Sequence, residues 1–419
     1  MTITPSRPAA PPTARALPSR PHEAGFWAIG GAFLVVMAFS AVPAPLYALY
    51  QVRDSFSTFT VTVIFAAYAV GVVAGLVLLG HVSDWVGRKT ILIPALGLSL
   101  VSAVIFLLWP SLPGLLVARL ISGLAVGMFT ATATAHLHEL HAAARPHAGR
   151  RRFEVVSTAV NLGGIGTGPL VAGFLAQYVT GPLRTPYLVF AALLVLSIVA
   201  VALTPETVEA RPVRPAYRPQ RINADLGDRA GYFIAAGSGF ASFAVFGVFT
   251  SLAPGFVGGT LHHPSRFLAG AVAFIVFGVA AVAQATTAAM TQSTRLVVGL
   301  SGQAVGLVIL AAGMELTNLP AFLIGGAVTG AGAGLLFKWA VGAVVAMAAP
   351  EVRGEALAGL FLIAYAGLVL SALGLGVATL SMTPTTAMLV FSVVILVLLA
   401  GVAVLRGRAA RASVSTQVR

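Results

Sequence analysis

Charge is what this sequence has least of. Only 9% of its 419 residues are Asp, Glu, Lys or Arg, against about 25% in soluble domains, whose surfaces must face water. With 58% hydrophobic residues and a mean hydropathy of +0.95, most of the outer surface is expected to face lipid, which excludes a soluble enzyme. Cysteine is absent, so disulfides, thiolate nucleophiles and cysteine metal ligands are excluded too. Acids are scarcer than bases, 12 against 25, for a formal charge of +13. Such an excess can signal nucleic-acid binding, but here the arginines sit in short loops between apolar runs, as orientation signals do. Neither phosphate-binding glycine pattern, G-x-G-x-x-G or G-x-x-x-x-G-K-[ST], occurs, which argues against a dinucleotide enzyme and an ATP-driven pump. His136, His138, Glu139 and His141 cluster, but His138 and His141 are three apart rather than the four a helical zinc pair needs, so no metal and no cofactor is expected.

What the chain does have is apolar runs. A spanning helix needs about 20 mostly apolar residues, and twelve candidates fall at 26–49, 56–80, 90–109, 113–137, 153–179, 185–204, 231–257, 267–289, 296–314, 319–347, 355–379 and 384–405. The expected organisation is a disordered tail (1–25), a six-helix bundle (26–204), a polar linker rich in arginine and proline (205–230), a second six-helix bundle (231–405) and a short tail (406–419). The first apolar run is too long for a signal peptide and has no cleavage site behind it, so it reads as a spanning helix. Of the 25 basic residues, Arg53, Arg184 and Arg266 fall in loops of one side, Arg119 and Lys338 fall inside spans, and the other 20 fall in tails and loops of the opposite side. That bias places both termini in the cytoplasm of a protein spanning the inner (plasma) membrane several times.

Three motifs carry the mechanism. The loop after span two reads Gly80-His81-Val82-Ser83-Asp84-Trp85-Val86-Gly87-Arg88-Lys89; a tight turn needs glycine, and the basic pair obeys the inside rule, but a carboxylate there has no such reason. Span four carries Arg119-Leu120-Ile121-Ser122-Gly123, an arginine that should face the bundle interior. Span five carries Gly164-Ile165-Gly166-Thr167-Gly168-Pro169-Leu170-Val171-Ala172-Gly173, small residues for close helix approach with a proline that loosens the backbone ladder. Together these resemble the major facilitator superfamily, and the span-five run resembles the signature of its drug:proton antiporter branch. Further glycine rows, Gly71/Gly75 in span two and Gly326/Gly330/Gly334 in span ten, read as packing faces.

The resemblance implies an all-α fold of two pseudo-symmetric six-helix bundles around a central cavity, working by alternating access. It implies a conformational latch of Gly80, Asp84, Gly87, Arg88, Lys89 and Glu139, with Asp84 facing the start of span eleven near Pro350 to Gly354 and Glu139 able to pair with Arg88. It assigns coupling to Arg119 and Gly123, and the antiporter motif to Gly164, Gly168, Pro169 and Gly173. Spans one, four, seven and ten should line the cavity, which nominates Phe39, Tyr47, Thr130, Thr134, Phe240, Phe243, Phe246, Lys338 and Trp339. Lys338 reads three ways: as a lysine reaching for the interface, as a counter-charge, or as a titrating group. No carboxylate lies well inside a span, Asp54 and Glu154 being near span ends, so proton coupling rests on the resemblance, and neutral, zwitterionic or anionic compounds suit the cavity better than cations. The expected function is proton-coupled efflux of small amphipathic compounds by a monomer, the pattern of multidrug resistance. Uptake or uniport of a metabolite is the alternative, and a non-transporting receptor or assembly protein is disfavoured by the lack of an extramembrane domain.

Reporter fusions at residue 20, within 210–228 and after Arg408 are expected to report cytoplasm, and one at Leu112 the outside. A periplasmic signal from the middle linker would break the two-bundle organisation.

Overall fold

A computed structural model describes residues 20–80, 82–208, 217, 219–220, 228–287, 289–349 and 352–417. Lipid offers no partner for a bare backbone N–H or C=O, so apolar runs close their hydrogen bonds within themselves as helices. Among the described residues, twelve helices are long and apolar enough to cross a membrane: α1 (Arg20–Asp54), α2 (Thr58–Leu79), α3 (Arg88–Leu108), α4 (Leu112–Ala144), α5 (Arg151–Tyr178), α6 (Thr185–Leu203), α7 (Arg229–Ser251), α8 (Arg266–Thr286), α9 (Gln292–Glu315), α10 (Leu319–Met347), α11 (Arg353–Ala378) and α12, which runs over Pro384–Gln417 with its span ending at Ala409. No strand occurs among the described residues. Leu196, Val394 and Val397 are among many large apolar side chains left exposed, as lipid-facing positions must be.

Some boundaries differ from the expected ones for local reasons. The tail expected to be disordered over 1–25 lies outside the described residues only up to residue 19, because Arg20 already begins α1. Pro21 supplies a pre-set helical φ there, and Glu23 puts a carboxylate in the first turn. Within α1 the helix stops at Ala41, makes one 3-10 turn over Ala44–Leu46 and resumes at Tyr47, because Pro43 and Pro45 each withdraw a backbone donor. Past residue 405 the helix continues to Gln417, since alanine and arginine are strong helix formers in water as well. Most of the linker lies outside the described residues.

The neighbours of each helix repeat with a shift of six. In the first half α1 packs on α4, α5 and α6, α2 on α4, and α3 on α4 and α6; in the second, α7 packs on α10, α11 and α12, α8 on α10, and α9 on α10 and α12. Each half has its own apolar core, centred on residues such as Phe33, Leu137 and Tyr187 in one and Phe249, Phe322 and Leu360 in the other. The halves meet along α5–α8 and α2–α11, two seams related by the same shift.

Small residues set these seams. On α5, a Cβ at Gly168 would strike the backbone of Ala38 in α1, while one at Gly173 would strike the carbonyl of Arg266 in α8; on α8, one at Gly270 would strike the carbonyl of Pro169. The span-five motif therefore presents one glycine face to its own bundle and another to the opposite bundle. Gly71 and Gly75 face Gly123 and Gly127 across the α2–α4 crossing, and Gly330 and Gly334 face Val276 and Ala280 across α8–α10.

The molecule is closed on the face opposite its termini. Residues Val36–Tyr47 of α1 and Ala244–Pro254 of α7 and the turn after it are buried without a break. Across the α5–α8 seam the Arg266 N–H donates to Gln177 Oε1 at 2.9 Å, and Arg266 Nη1 donates to the Ala176 carbonyl at 2.8 Å. Gly376 of α11 packs against Thr62 of α2 on the other seam, and Thr62 is fully buried. Each seal hydrogen bond is worth about 1 kcal/mol net. A Gln177→Ala/Arg266→Ala double variant should therefore raise the population open on this face roughly ten-fold or more, read as faster labelling of a cysteine placed at Thr62 by a soluble thiol reagent. Unchanged labelling would show that the glycine contacts alone hold the seal.

Candidate functional site

The loop between α2 and α3 folds into a charged network. Gly87 sits at φ 102, a conformation that side chains oppose, and this lets the chain reverse between the short helix Ser83–Val86 and α3. Gly80, by contrast, is an ordinary helical residue at the end of α2, so only one of the two loop glycines is demanded by backbone geometry. Arg88 is buried and makes a two-pronged pair with Glu139 of α4, Nη2 to Oε1 at 2.6 Å and Nε to Oε2 at 3.2 Å. Its Nη1 donates to Asp84 Oδ1 at 2.5 Å and to Ser83 Oγ at 2.8 Å, and Thr207 Oγ1 donates to Glu139 at 2.5 Å.

Glu206, from the segment after α6, completes this network and was not singled out from sequence. Its carboxylate accepts the backbone N–H groups of Arg88 at 3.0 Å and Lys89 at 2.9 Å, capping the start of α3. Lys89 reciprocates: its Nζ donates to the carbonyls of Ala202 at 2.6 Å and Thr204 at 2.9 Å, at the end of α6. An acid at a helix start and a base at a helix end both suit the helix dipole. The signal in the sequence is an acid two residues past an apolar run, too common a pattern to point at a cap 117 residues away.

Farther into the bundle, Arg119 and Gly123 share one face of α4, a turn apart. Gly123 lets α4 lie against the backbone of Tyr68 in α2, which brings the Arg119 guanidinium over the Tyr68 ring at 4.2 Å from its centroid. Arg119 Nη1 donates to the Ser40 carbonyl at 2.6 Å, just before the break in α1. Arg119 is 2% exposed, and no carboxylate among the described residues comes within ion-pairing distance of it.

Opposite, the second half contributes an aromatic wall. Phe243 of α7 lies 4.8 Å from Phe337 of α10 and 5.2 Å from Tyr365 of α11, and Phe337 lies 5.7 Å from Phe361. Phe243 and Tyr365 also touch the apolar core of the first half, so this wall stands where the bundles face each other. Thr130, Thr134, Phe240 and Lys338 are half-buried on the terminus-bearing side. The threonine hydroxyls bond back to their own helix, Thr130 to Val126 at 2.7 Å and Thr134 to Thr130 at 2.8 Å.

The sequence profile of the Major Facilitator Superfamily matches residues 28–296. The chain belongs to that superfamily. Solved structures of similar fold include a peptide transporter, POT (TM-score 0.74, 13% identity, covering 94% of this chain and 97% of that one), and a POT family transporter in complex with 5-aminolevulinic acid (0.72, 11%, 92% and 96%). The human organic anion transporter MFSD10 (TETRAN) is a further one (0.65, 15%, 92% and 100%). No curated protein matches the sequence.

Several superfamily expectations are placed differently by the structure. Pro350 and Glu351, near which Asp84 was expected to face the start of α11, lie outside the described residues. Asp84 pairs with Arg88, and its side chain is 62% exposed. Four expected cavity residues are core: Phe39 packs on Phe106 and Phe190, Tyr47 is buried in the first half, Phe246 stacks on Phe277 at 4.8 Å, and Trp339 is buried within the second half. Residues two apart on a helix point about 200° apart, to nearly opposite sides, which is why Phe337, not Trp339, joins the wall. Lys338 Nζ donates to the Gln284 carbonyl at 2.5 Å, in the last turn of α8, so it ends near the membrane boundary on a favourable helix pole. The loop after α8 has no acid to mirror Asp84; Arg295 fills the position of Arg88 and donates to the carbonyls of Thr287 and Met290, both at 3.1 Å. His136 and His141 turn to the carbonyls of Pro205 and Gly149.

Partial burial alone would raise the Glu206 carboxyl, but its four backbone N–H donors outweigh that and hold it below the ordinary 4.5. A depressed carboxylate stabilises the fold above its unfolded value and loses that contribution as pH falls through the folded one. Glu206→Gln is therefore expected to cost about 1 kcal/mol, the worth of a helix cap, at all pH above the ordinary carboxylate range. The gap in thermal stability should close on acidification below 4.5. A gap that persists unchanged in acid would show that the carboxylate charge contributes nothing.

Proposed function

We propose that this chain is a secondary transporter that exports small amphipathic compounds, neutral to anionic, in exchange for protons across the plasma membrane, with both termini in the cytoplasm. What supports the substrate class is a buried guanidinium in the first half that pairs with no acid among the described residues, together with a cluster of aromatic rings in the second. Such a combination favours an apolar body with a neutral or negative polar end and disfavours cations. Alternating access is supported by the two symmetric seams between bundles, which leave each bundle a rigid unit able to rock on the other. In this reading the closed outer face and the half-accessible Thr130, Thr134 and Lys338 describe the inward-facing state, with Asp84 released from its latch. Export is favoured by the glycine–proline run of α5, and proton exchange comes from the same resemblance.

A panel of neutral, zwitterionic, anionic and cationic aromatic compounds in proteoliposomes tests this. Accumulation should follow an acidic lumen, collapse with a protonophore, exclude cations, and fall at least ten-fold in Asp84→Asn at equal expression. Accumulation driven by an alkaline lumen would establish proton-coupled uptake and overturn export.

A further inference from the structure

The acids among the described residues lie near helix ends. Glu23 pairs with Arg145 and Arg152, Asp54 with Arg53, Asp84 and Glu139 with Arg88, and Glu206 caps α3. Glu154 and Glu355 lie in the first turns of α5 and α11, Asp228 caps α7, and Glu315 ends α9. Among the described residues Arg119 is thus a buried cation left without a counter-ion. A guanidinium cannot shed its proton, so it cannot escape the cost by neutralising.

What surrounds it is only partly compensating. One carbonyl, that of Ser40, accepts from Nη1, and the faces of Tyr68 and Phe65 lie 4.2 and 5.7 Å from the guanidinium carbon. The Nε donor has no partner. Nor has the hydroxyl of Tyr47, which is 3% exposed and within reach of the guanidinium's field. Just beyond, the Tyr50 hydroxyl donates to that of Tyr187 at 3.3 Å. Two buried donors, one of them charged, are thus unpartnered within one another's electrostatic reach, and no carboxylate among the described residues pairs with either. A water molecule would satisfy a donor but not the charge.

We infer that Arg119 and Tyr47 form a subsite for a compact monovalent anion, the carboxylate head group of the transported compound. This inference rests on the transporter reading above. The free Nε edge of the guanidinium matches the two oxygens of a carboxylate, with the phenol donating to one of them. The aromatic wall of Phe243, Phe337, Phe361 and Tyr365 then takes the apolar body. In the conformation described here Arg119 is sealed, resting on Ser40 and Tyr68 as it would between cycles.

The test uses purified full-length protein and thermal unfolding at constant ionic strength in sulfate. Sodium benzoate and formate should raise the melting temperature in proportion to their binding, and benzamide, the neutral isostere of benzoate, should not. Arg119→Gln should abolish the benzoate shift, Arg119→Lys should retain part of it, and Tyr47→Phe, which removes only a hydroxyl, should weaken benzoate about ten-fold. A benzoate shift equal to that of benzamide, or one surviving in Arg119→Gln, overturns the subsite. Chloride matching benzoate in an Arg119-dependent way overturns the head-group assignment in favour of a free halide. Because the chain has no cysteine, spin labels at Leu108→Cys and Leu316→Cys, exposed outer ends of opposite halves, report opening independently. Two distance populations without an anion effect sink the subsite alone, whereas a single population under all conditions sinks the transporter reading itself.

Discussion

Backbone-to-backbone contact between helices is the constraint on which the rest of this molecule depends. In lipid there is no hydrophobic force to press helices together, so association relies on van der Waals fit, and fit is best where side chains vanish. Gly123 and Gly127 against Gly71 and Gly75 bring α4 onto α2, and only at that distance does the Arg119 guanidinium reach the face of Tyr68. Gly168 against Ala38, together with Gly173 against Arg266, makes α5 a helix gripped on both sides, by its own bundle and by the other. A side chain at any of these positions would separate helices and so displace residues a turn or more away.

Electrostatics is arranged around that scaffold rather than supporting it. The acids cluster at the membrane boundaries, where they cap helices or hold arginines, as Glu206 and Glu139 do around Arg88. Exchange of caps between Glu206 and Lys89 locks the start of α3 to the end of α6, so the loop moves with the first bundle as a unit. Arg119 shares with Arg295 a buried guanidinium that pairs with no acid among the described residues. But Arg295 donates to Gln292 and to two loop carbonyls, whereas Arg119 donates to the Ser40 carbonyl alone, and that scarcity of acceptors points to a ligand. Lys338 shows the contrast: equally inconvenient in the sequence, it is only half-buried and donates to a carbonyl in the last turn of α8, whereas Arg119 is sealed in the core.

Much of this architecture was legible because spanning segments are written in composition. Twelve apolar runs, the halving at the arginine-rich linker and the loop motif each follow from constraints that act on local sequence. Rotation about each helix axis is another matter, because apolar residues circle a helix that meets protein on one side and lipid on the other. Phe39, Phe246 and Trp339 were placed toward the cavity and lie in cores, while Phe337, Phe361 and Tyr365 on the same or neighbouring helices form the wall. The Glu206 cap was invisible for a different reason, since nothing local ties an acid after α6 to the amide groups that open α3.

The two seams are not equivalent in what they hold. Along α5–α8 the contact is glycine on backbone, tightened at the end away from the termini by hydrogen bonds from Arg266, a geometry that tolerates pivoting but little sliding. Along α2–α11 that end includes the small-residue contact of Gly376 on Thr62, and the end near the termini leaves Asp84 exposed on its arginine. A rocking motion that opened the end away from the termini would therefore separate Thr62 from Gly376 with little loss of bonding while carrying Asp84 toward the start of α11. There a helix N-terminus offers a partner for its charge. The seam that gives way most easily on one face is thus the seam with an unengaged charge on the other, which is the arrangement an alternating mechanism requires of a chain with so few charges to use.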